Sequence, residues 1–288
     1  MSYDVYQVSP NNFPGNLAEI YDPPKTLYVR GTLPSKDHKL LCIVGSRALS
    51  EYGKRVLAYF FKELEGHPIS IVSGLALGTD GFAHALALKH NLHTIAVPGS
   101  GISDEALYPK THQKLAHSIL EHGGALISEF PPEFTWKMWS FPKRNRIMAG
   151  MSDLVFMLEA GEKSGTLITA RMASEYNREL CTIPHPLFSE NGKGPHQFLR
   201  LGATIVTEPS HILEILNLDA GSKNIEVTLR PLERKVLSLL SEPLSLEQII
   251  LLVNLPREDV LSILSSLELK GIIDSEGGAY IALRSQKT

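Results

Sequence analysis

From about residue 39 the chain repeats one phrase: a short β-branched apolar run, a glycine-bearing loop, then a helical pattern. The runs are Leu41-Cys42-Ile43-Val44, Ile69-Ser70-Ile71-Val72, Thr94-Ile95-Ala96-Val97, Ala125-Leu126-Ile127-Ser128, Leu154 to Leu158, Leu180-Cys181-Thr182-Ile183 and Ala203-Thr204-Ile205-Val206. Continuous rather than alternating apolar character means burial on both faces, which is the condition of a parallel sheet sandwiched between helices. The intervening helical patterns are Glu51 to Glu65, Thr79 to His90, Lys110 to His122, Arg146 to Met151 and Thr166 to Tyr176. Strands alternating with helices through right-handed crossovers predict an α/β class: an extended Rossmann-like, doubly wound, mostly parallel sheet.

The ends read differently. Residues 1–36 form an N-terminal arm in which Tyr21-Asp22-Pro23-Pro24 turns into a short extended piece up to Gly31, an edge strand or docked arm. Residues 37–215 are the Rossmann-like domain, 216–228 a polar linker, and 229–288 a second domain with helical spacing over 231–241, 245–253 and 256–270. A hairpin around Gly277-Gly278 closes the chain, so three helices and a hairpin predict a small winged-helix domain. Seven basic against eight acidic residues leave 229–288 at a net charge of −1, and its third helix carries Glu258, Asp259 and Glu268. Duplex readout through that helix is electrostatically poor, and a protein-contact or regulatory role fits better.

In a doubly wound sheet the loops at the carboxyl ends of the strands converge on one edge. Four of them are built of small residues: Gly45-Ser46-Arg47, Ser73 to Gly81, Gly99-Ser100-Gly101, and Gly161 to Thr166. One such loop serves a tight turn and nothing more. Four on one edge make a nest of amides at helix N-termini, suited to phosphate. Gly74, Ser164, Gly165 and Thr166 belong to this set, and Arg47 adds a fork of donors just past a strand end. The segment Glu133 to Arg146 holds both tryptophans and interleaves Trp136, Trp139 and Phe141 with Lys137, Lys143, Arg144 and Arg146, beside Asn145. Bases stacking on rings along a cationic track is how single strands are held; the same rings would equally anchor a loop to the core.

Other chemistries fail on the residues. Gly53-Lys54 is followed by Arg55, and Ala48 stands where a phosphate-binding loop begins with glycine. Ser100 lacks the surroundings of a nucleophile elbow. The 11 histidines show no metal spacing, so no metal, cofactor or catalytic residue is expected. Asp80, opening a helix, is explained by stabilising that helix. No apolar run approaches a membrane span and no leader precedes Tyr3, so a cytoplasmic chain is expected, with Cys42 and Cys181 as reduced core residues. A net charge of −3 confines any nucleic-acid site to a local patch.

Several linked motifs, in order, resemble the DNA processing protein A family (DprA, or Smf) of natural transformation. They are Asp22-Pro23-Pro24, Val44-Gly45-Ser46-Arg47, Val72-Ser73-Gly74-Leu75-Ala76 with Asp80-Gly81, Ser128-Glu129-Phe130-Pro131, Phe141-Pro142-Lys143-Arg144-Asn145-Arg146, and Ser164-Gly165-Thr166. The resemblance implies a homodimer that binds single-stranded DNA without sequence specificity and loads RecA recombinase onto it. It implies DNA contacts from Arg47, Lys143, Arg144, Asn145 and Arg146, with Ser164 to Thr166 as a phosphate cradle. Leu77 and Pro98 depart from the family pattern. The alternative on the same fold is a nucleotide phosphoribohydrolase, whose motif wants a glutamate where Thr169 stands.

Overall fold

A computed structural model describes residues 4–218, 231–240, 243–253, 255–269, 273–276 and 279–282. Most of the predicted linker, and the Gly277-Gly278 turn, lie outside the described residues. The chain divides into two compact units, residues 1–223 and 224–288.

The first unit is built on a nine-stranded sheet. Its parallel part comprises β3 (Lys39–Val44), β4 (Ile69–Ser73), β5 (His93–Ala96), β6 (Ala125–Ser128), β7 (Leu154–Met157), β8 (Glu179–Thr182) and β9 (Thr204–Ile205), in the spatial order β6-β5-β4-β3-β7-β8-β9. All seven sit where the apolar runs predict. Side chains alternate across β3: Leu40, Cys42 and Val44 face one core, Leu41 and Ile43 the other. The first core is covered by α4 (Ser140–Met151) and α5 (Thr166–Glu175), the second by α1 (Glu51–Leu64), α2 (Thr79–Lys89) and α7 (Pro209–Ile215). Two-sided burial is why these strands read as unbroken apolar runs.

The N-terminal residues are integral to the sheet. β2 (Leu27–Gly31) pairs antiparallel with β6, and β1 (Val5–Val8) pairs antiparallel with β2 and takes the edge. Leu27 and Val29 are fully buried, so β2 is an interior strand, and the edge position expected of it belongs to β1. Tyr6 and its neighbours are largely exposed, which removes the apolar pattern a strand is recognised by.

Helix α4 begins at Ser140, six residues before its predicted start at Arg146. Pro142 falls in the first turn, where no backbone N–H is required, so the proline that would stop a helix interior is accommodated here. α3 (Gln113–Glu121) and α6 (Lys193–Arg200) complete the unit.

In the second unit α8 (Pro231–Leu239), α9 (Leu246–Val253) and α10 (Arg257–Leu269) pack around Val236, Ile249, Val253, Val260, Ile263, Leu264 and Leu267. β10 (Leu244–Ser245), β11 (Ile273–Glu276) and β12 (Ala279–Ala282) form a small antiparallel sheet ordered β10-β12-β11. Three helices and this sheet are the winged-helix arrangement predicted from the sequence.

Candidate functional site

From β3 the sheet grows one way through β4, β5 and β6, then resumes on the other side of β3 at β7. The order reverses there, so the loops leaving β3 and β7 diverge and open a crevice at their carboxyl ends. A cleft of about 610 Å³ occupies it, with Arg47, Phe141, Arg144, Asn145, Lys163 and Thr166 among its walls.

The loop after β3 is pinned from both sides. The Ser46 carbonyl accepts from the Thr79 amide (3.1 Å) and hydroxyl (3.0 Å), and the Gly45 carbonyl accepts from Thr166 Oγ1 (3.0 Å). Gly45 lies so close to Thr79 that a Cβ would overlap it. The loop therefore ties the N-terminus of α2 to that of α5 across the crevice and leaves Arg47 exposed at the mouth. The Arg47 guanidinium stands 5.8 Å from the centre of the Phe141 ring.

Behind Phe141, Asp80 and Arg144 are both buried and feel each other's charge without a direct salt bridge. Asp80 Oδ2 accepts from the amides of Gly74 (3.1 Å) and Ala76 (3.4 Å). Burial pushes its carboxyl up from the ordinary range, and the charge of Arg144 pulls it back. Arg144 Nη1 donates to the carbonyls of Gly74 (2.6 Å) and Val97, and Nε donates to Asn145 Oδ1 (3.1 Å). A Cβ on Gly74 would overlap the guanidinium, so this glycine is there to admit Arg144. Arg144 thus closes the back wall of the cleft and fastens α4 to the ends of β4 and β5.

The loop after β7 supplies Gly161 to Thr166. Ser164 Oγ accepts from the Thr166 amide (3.2 Å), and the Leu167 and Ile168 amides already bond the carbonyls of Ser164 and Gly165 (both 3.1 Å). This first turn has spent amides that a phosphate cradle would need. The Ser164 hydroxyl likewise donates to Thr166 Oγ1 (3.0 Å) and that of Thr166 to the Gly45 carbonyl, so the free group this loop presents to the cleft is the exposed Lys163, which makes no ion pair among the described residues. Lys163 was absent from the predicted site residues, although its place in a glycine loop at a helix start marks it. Below the loop, buried Glu159 accepts from the Ser50 amide (3.1 Å) and hydroxyl and from Asn191 Nδ2 (3.3 Å), which fixes the start of α1. Thr169 is buried in the cleft wall and offers a hydroxyl where the phosphoribohydrolase motif has a carboxylate.

Several predicted residues lie elsewhere. Gly99, Ser100 and Gly101 are buried and act as a joint: a Cβ on Gly99 would strike Phe141, Ser140 Oγ stands 2.5 Å from the Gly99 carbonyl, Ser100 Oγ accepts from the Tyr108 amide (3.2 Å), and the Gly101 amide donates to Phe134 O (2.8 Å). Gly74 is one layer behind the wall. Lys143 and Arg146 point away, both paired to Glu129 at 3.4 and 2.5 Å, and Arg146 also donates to the Asp22 carbonyl. The reason is helical: successive residues turn by about 100°, so four consecutive polar residues at 143–146 cannot share one cleft. Only Arg144 and Asn145 of the four reach it. The pairing of Arg146 with Asp22 and Glu129 explains the separate Asp-Pro-Pro and Ser-Glu-Phe-Pro motifs, which anchor the N-terminal segment to α4.

The aromatic residues form two groups. Tyr108, Trp136 and Phe141 stack beside Arg47, with centroids 4.6–5.9 Å apart. Phe130, Phe134 and Trp139 stack beside Lys143, whose ammonium lies 5.4 Å from the Phe130 centroid and 5.9 Å from that of Trp139.

With this geometry in hand, residues 4–217 match the family model described as DNA recombination-mediator protein A, and 222–279 match the DprA winged helix domain. Protein Smf of Escherichia coli is 38% identical over 284 residues, covering 94% of this chain and 75% of that protein. A crystal structure of DNA processing protein A from Streptococcus pneumoniae aligns with a TM-score of 0.65 at 33% identity, covering 74% of each chain. A structure of DNA processing protein A from Helicobacter pylori, reported for its single-stranded DNA binding mode, aligns with a TM-score of 0.64 at 27% identity, covering 75% of this chain and 96% of that one.

Proposed function

The chain belongs to the DNA recombination-mediator protein A family, and we propose that it binds single-stranded DNA in the cleft between β3 and β7 and passes the strand to a RecA recombinase during DNA uptake. The observation that carries the reading is the pairing of Arg47 with Phe141 at the mouth, opposite Lys163. Two exposed cations flank one aromatic ring at the switch point, which is what a stacked base and its phosphates require. Arg144 and Asn145 set the depth of the wall. Stacking and phosphate contacts read no base edges, so binding is expected to be independent of sequence. The relative from Helicobacter pylori, reported for binding single-stranded DNA, supports the same assignment.

The protein acts as a non-catalytic mediator in the cytoplasm, as a homodimer, with a Rossmann-like unit that takes in the N-terminal residues as β1 and β2, a linker over 216–228 and a winged-helix segment from 229. The test is fluorescence anisotropy of labelled single-stranded and duplex oligonucleotides across a salt series. Each phosphate contact contributes about −0.7 to the log–log salt slope, so two cations give about −1.4. Arg47→Ala and Lys163→Ala are each expected to weaken binding and to flatten that slope by about 0.7. A parent protein that binds neither form of DNA would refute the assignment. Hand-over is tested separately, by whether the protein speeds RecA filament growth on strands coated with single-strand-binding protein.

A further inference from the structure

Trp139 is 55% exposed and Met138 78% exposed, beside exposed Lys137, and together they project from the rim just before α4. An exposed tryptophan next to an exposed methionine is costly, and nothing in the packing demands it. Trp139 contributes an edge to the Phe130–Phe134 pair, and the remainder of its surface is left to water. Met138 meanwhile lines the cleft together with Phe141 and Arg47. The rim is therefore continuous: cleft, Met138, Trp139. Lys137 makes no ion pair among the described residues, and Lys143, one helical turn after Trp139, holds its ammonium over the same ring.

We propose that Trp139 is a second stacking platform for the strand, taking a nucleotide that leaves the cleft over Met138, with Lys137 against its phosphates. The site rests on the reading of the cleft given above and extends it. It gives a role to Trp139 and Lys137, members of the aromatic and basic segment that do not line the cleft. A flat ring beside an unpaired ammonium group accepts any base and its phosphates, so this platform also lacks sequence preference. Its effect depends on length: a strand short enough to lie within the cleft does not reach Trp139, and a longer one does.

The experiment is anisotropy with labelled oligothymidylates of about four and about twelve nucleotides, spanning the usual range of single-strand sites. Trp139→Leu retains apolar bulk and removes the ring face; it is expected to weaken the long oligonucleotide about tenfold and leave the short one unchanged. Trp139→Phe retains a ring and is expected to keep most of the affinity. It should also abolish the extra quenching of tryptophan emission that the long oligonucleotide produces over the short one in the parent, leaving only what Trp136 beside the cleft gives at both lengths. Lys137→Ala is expected to lower only long-strand affinity and to flatten only the long-strand salt slope. Equal loss at both lengths, or none at either, overturns the platform, as does extra quenching by the long oligonucleotide that persists in Trp139→Phe. A parent that binds neither length overturns the cleft assignment itself, a result distinct from a parent that binds both lengths and is indifferent to Trp139.

Discussion

Arg144 and Arg47 both stand in the cleft wall, and substituting them is expected to do different things. Arg144 is 6% exposed and its Nη1 holds the carbonyls of Gly74 and Val97, while its charge faces buried Asp80. Arg144→Met keeps a comparable stem, removes both hydrogen bonds and takes away the charge that offsets the buried Asp80 carboxylate. Leaving a buried charge uncompensated costs about 3–5 kcal/mol. In a domain of this size about 1 kcal/mol moves Tm by 2–4 °C, so a fall of roughly 6–20 °C is expected in a calorimetric melt near neutral pH. The pH dependence identifies the cause. Burial already raises the Asp80 pKa above its ordinary 3.8, and losing Arg144 raises it further. Between the unfolded value and that raised value the native variant binds a proton the unfolded chain does not, so its stability grows as pH falls. The Tm gap between variant and parent is therefore expected to narrow from pH 8 towards pH 5, and Asp80→Asn in the Arg144→Met background to recover part of it at pH 8. A variant that melts with the parent yet loses DNA affinity would refute this account and make Arg144 a ligand contact. A gap that does not vary with pH would remove Asp80 from it.

Three further outcomes follow from the same geometry. Gly74→Ala forces a Cβ into the Arg144 guanidinium and is expected to lower Tm by an amount similar to Arg144→Met, with little added loss when the two are combined. Arg47→Ala is expected to leave unfolding free energy within about 0.5 kcal/mol of the parent, as for an exposed side chain, while weakening single-strand binding. Burial pushes the fully buried His84 down to about 3, so its ring stays neutral across the working range. The unfolded chain protonates it below about 6.5 and the native state does not, so His84 makes stability fall as pH drops from 6.5 towards 3. Ring-proton NMR shifts of His84 that do not titrate between pH 8 and 5 are the check.

The fold was legible where burial is two-sided. Strands β3 to β8 are apolar runs because helices cover both faces of the sheet, whereas β9 at the edge is exposed and is placed by its register with β8. The same argument fails for β1, whose residues 5–7 are exposed and whose pairing is fixed by register with β2, which no local pattern encodes. It fails again at α4, where Pro142 reads locally as a barrier but sits in a first turn. The site was legible as far as loops are local: the glycine loops after β3 and β7 do meet. Those after β4 and β5 proved to be packing joints, because Gly74 and Gly99 exist to admit Arg144 and Phe141, residues 70 and 42 positions away in the chain. Composition could not reveal this. Four polar residues in a row at 143–146 look like one patch, and only the helix shows them divided between the cleft and Glu129.

That division sets the character of the proposed binding. Of the four cations in the aromatic and basic segment, Arg144 feels the charge of Asp80, and Lys143 and Arg146 face Glu129, so three offset carboxylates of the framework and Lys137 lies outside the cleft. The cations exposed at the cleft, Arg47 and Lys163, come from two different loops and number only two among the described residues lining it, apart from Arg144. With a salt slope of about −1.4, a fourfold rise in salt costs about sevenfold in affinity, a small penalty for a nucleic-acid site. A stacked base contributes about 1–3 kcal/mol without any salt dependence of that kind. Most of the affinity is therefore expected to come from rings, and a chain of net charge −3 can hold a strand at cellular ionic strength without a broad basic surface. A site built this way discriminates against duplex on physical grounds, because paired bases are already stacked on one another and cannot offer their faces to Phe141.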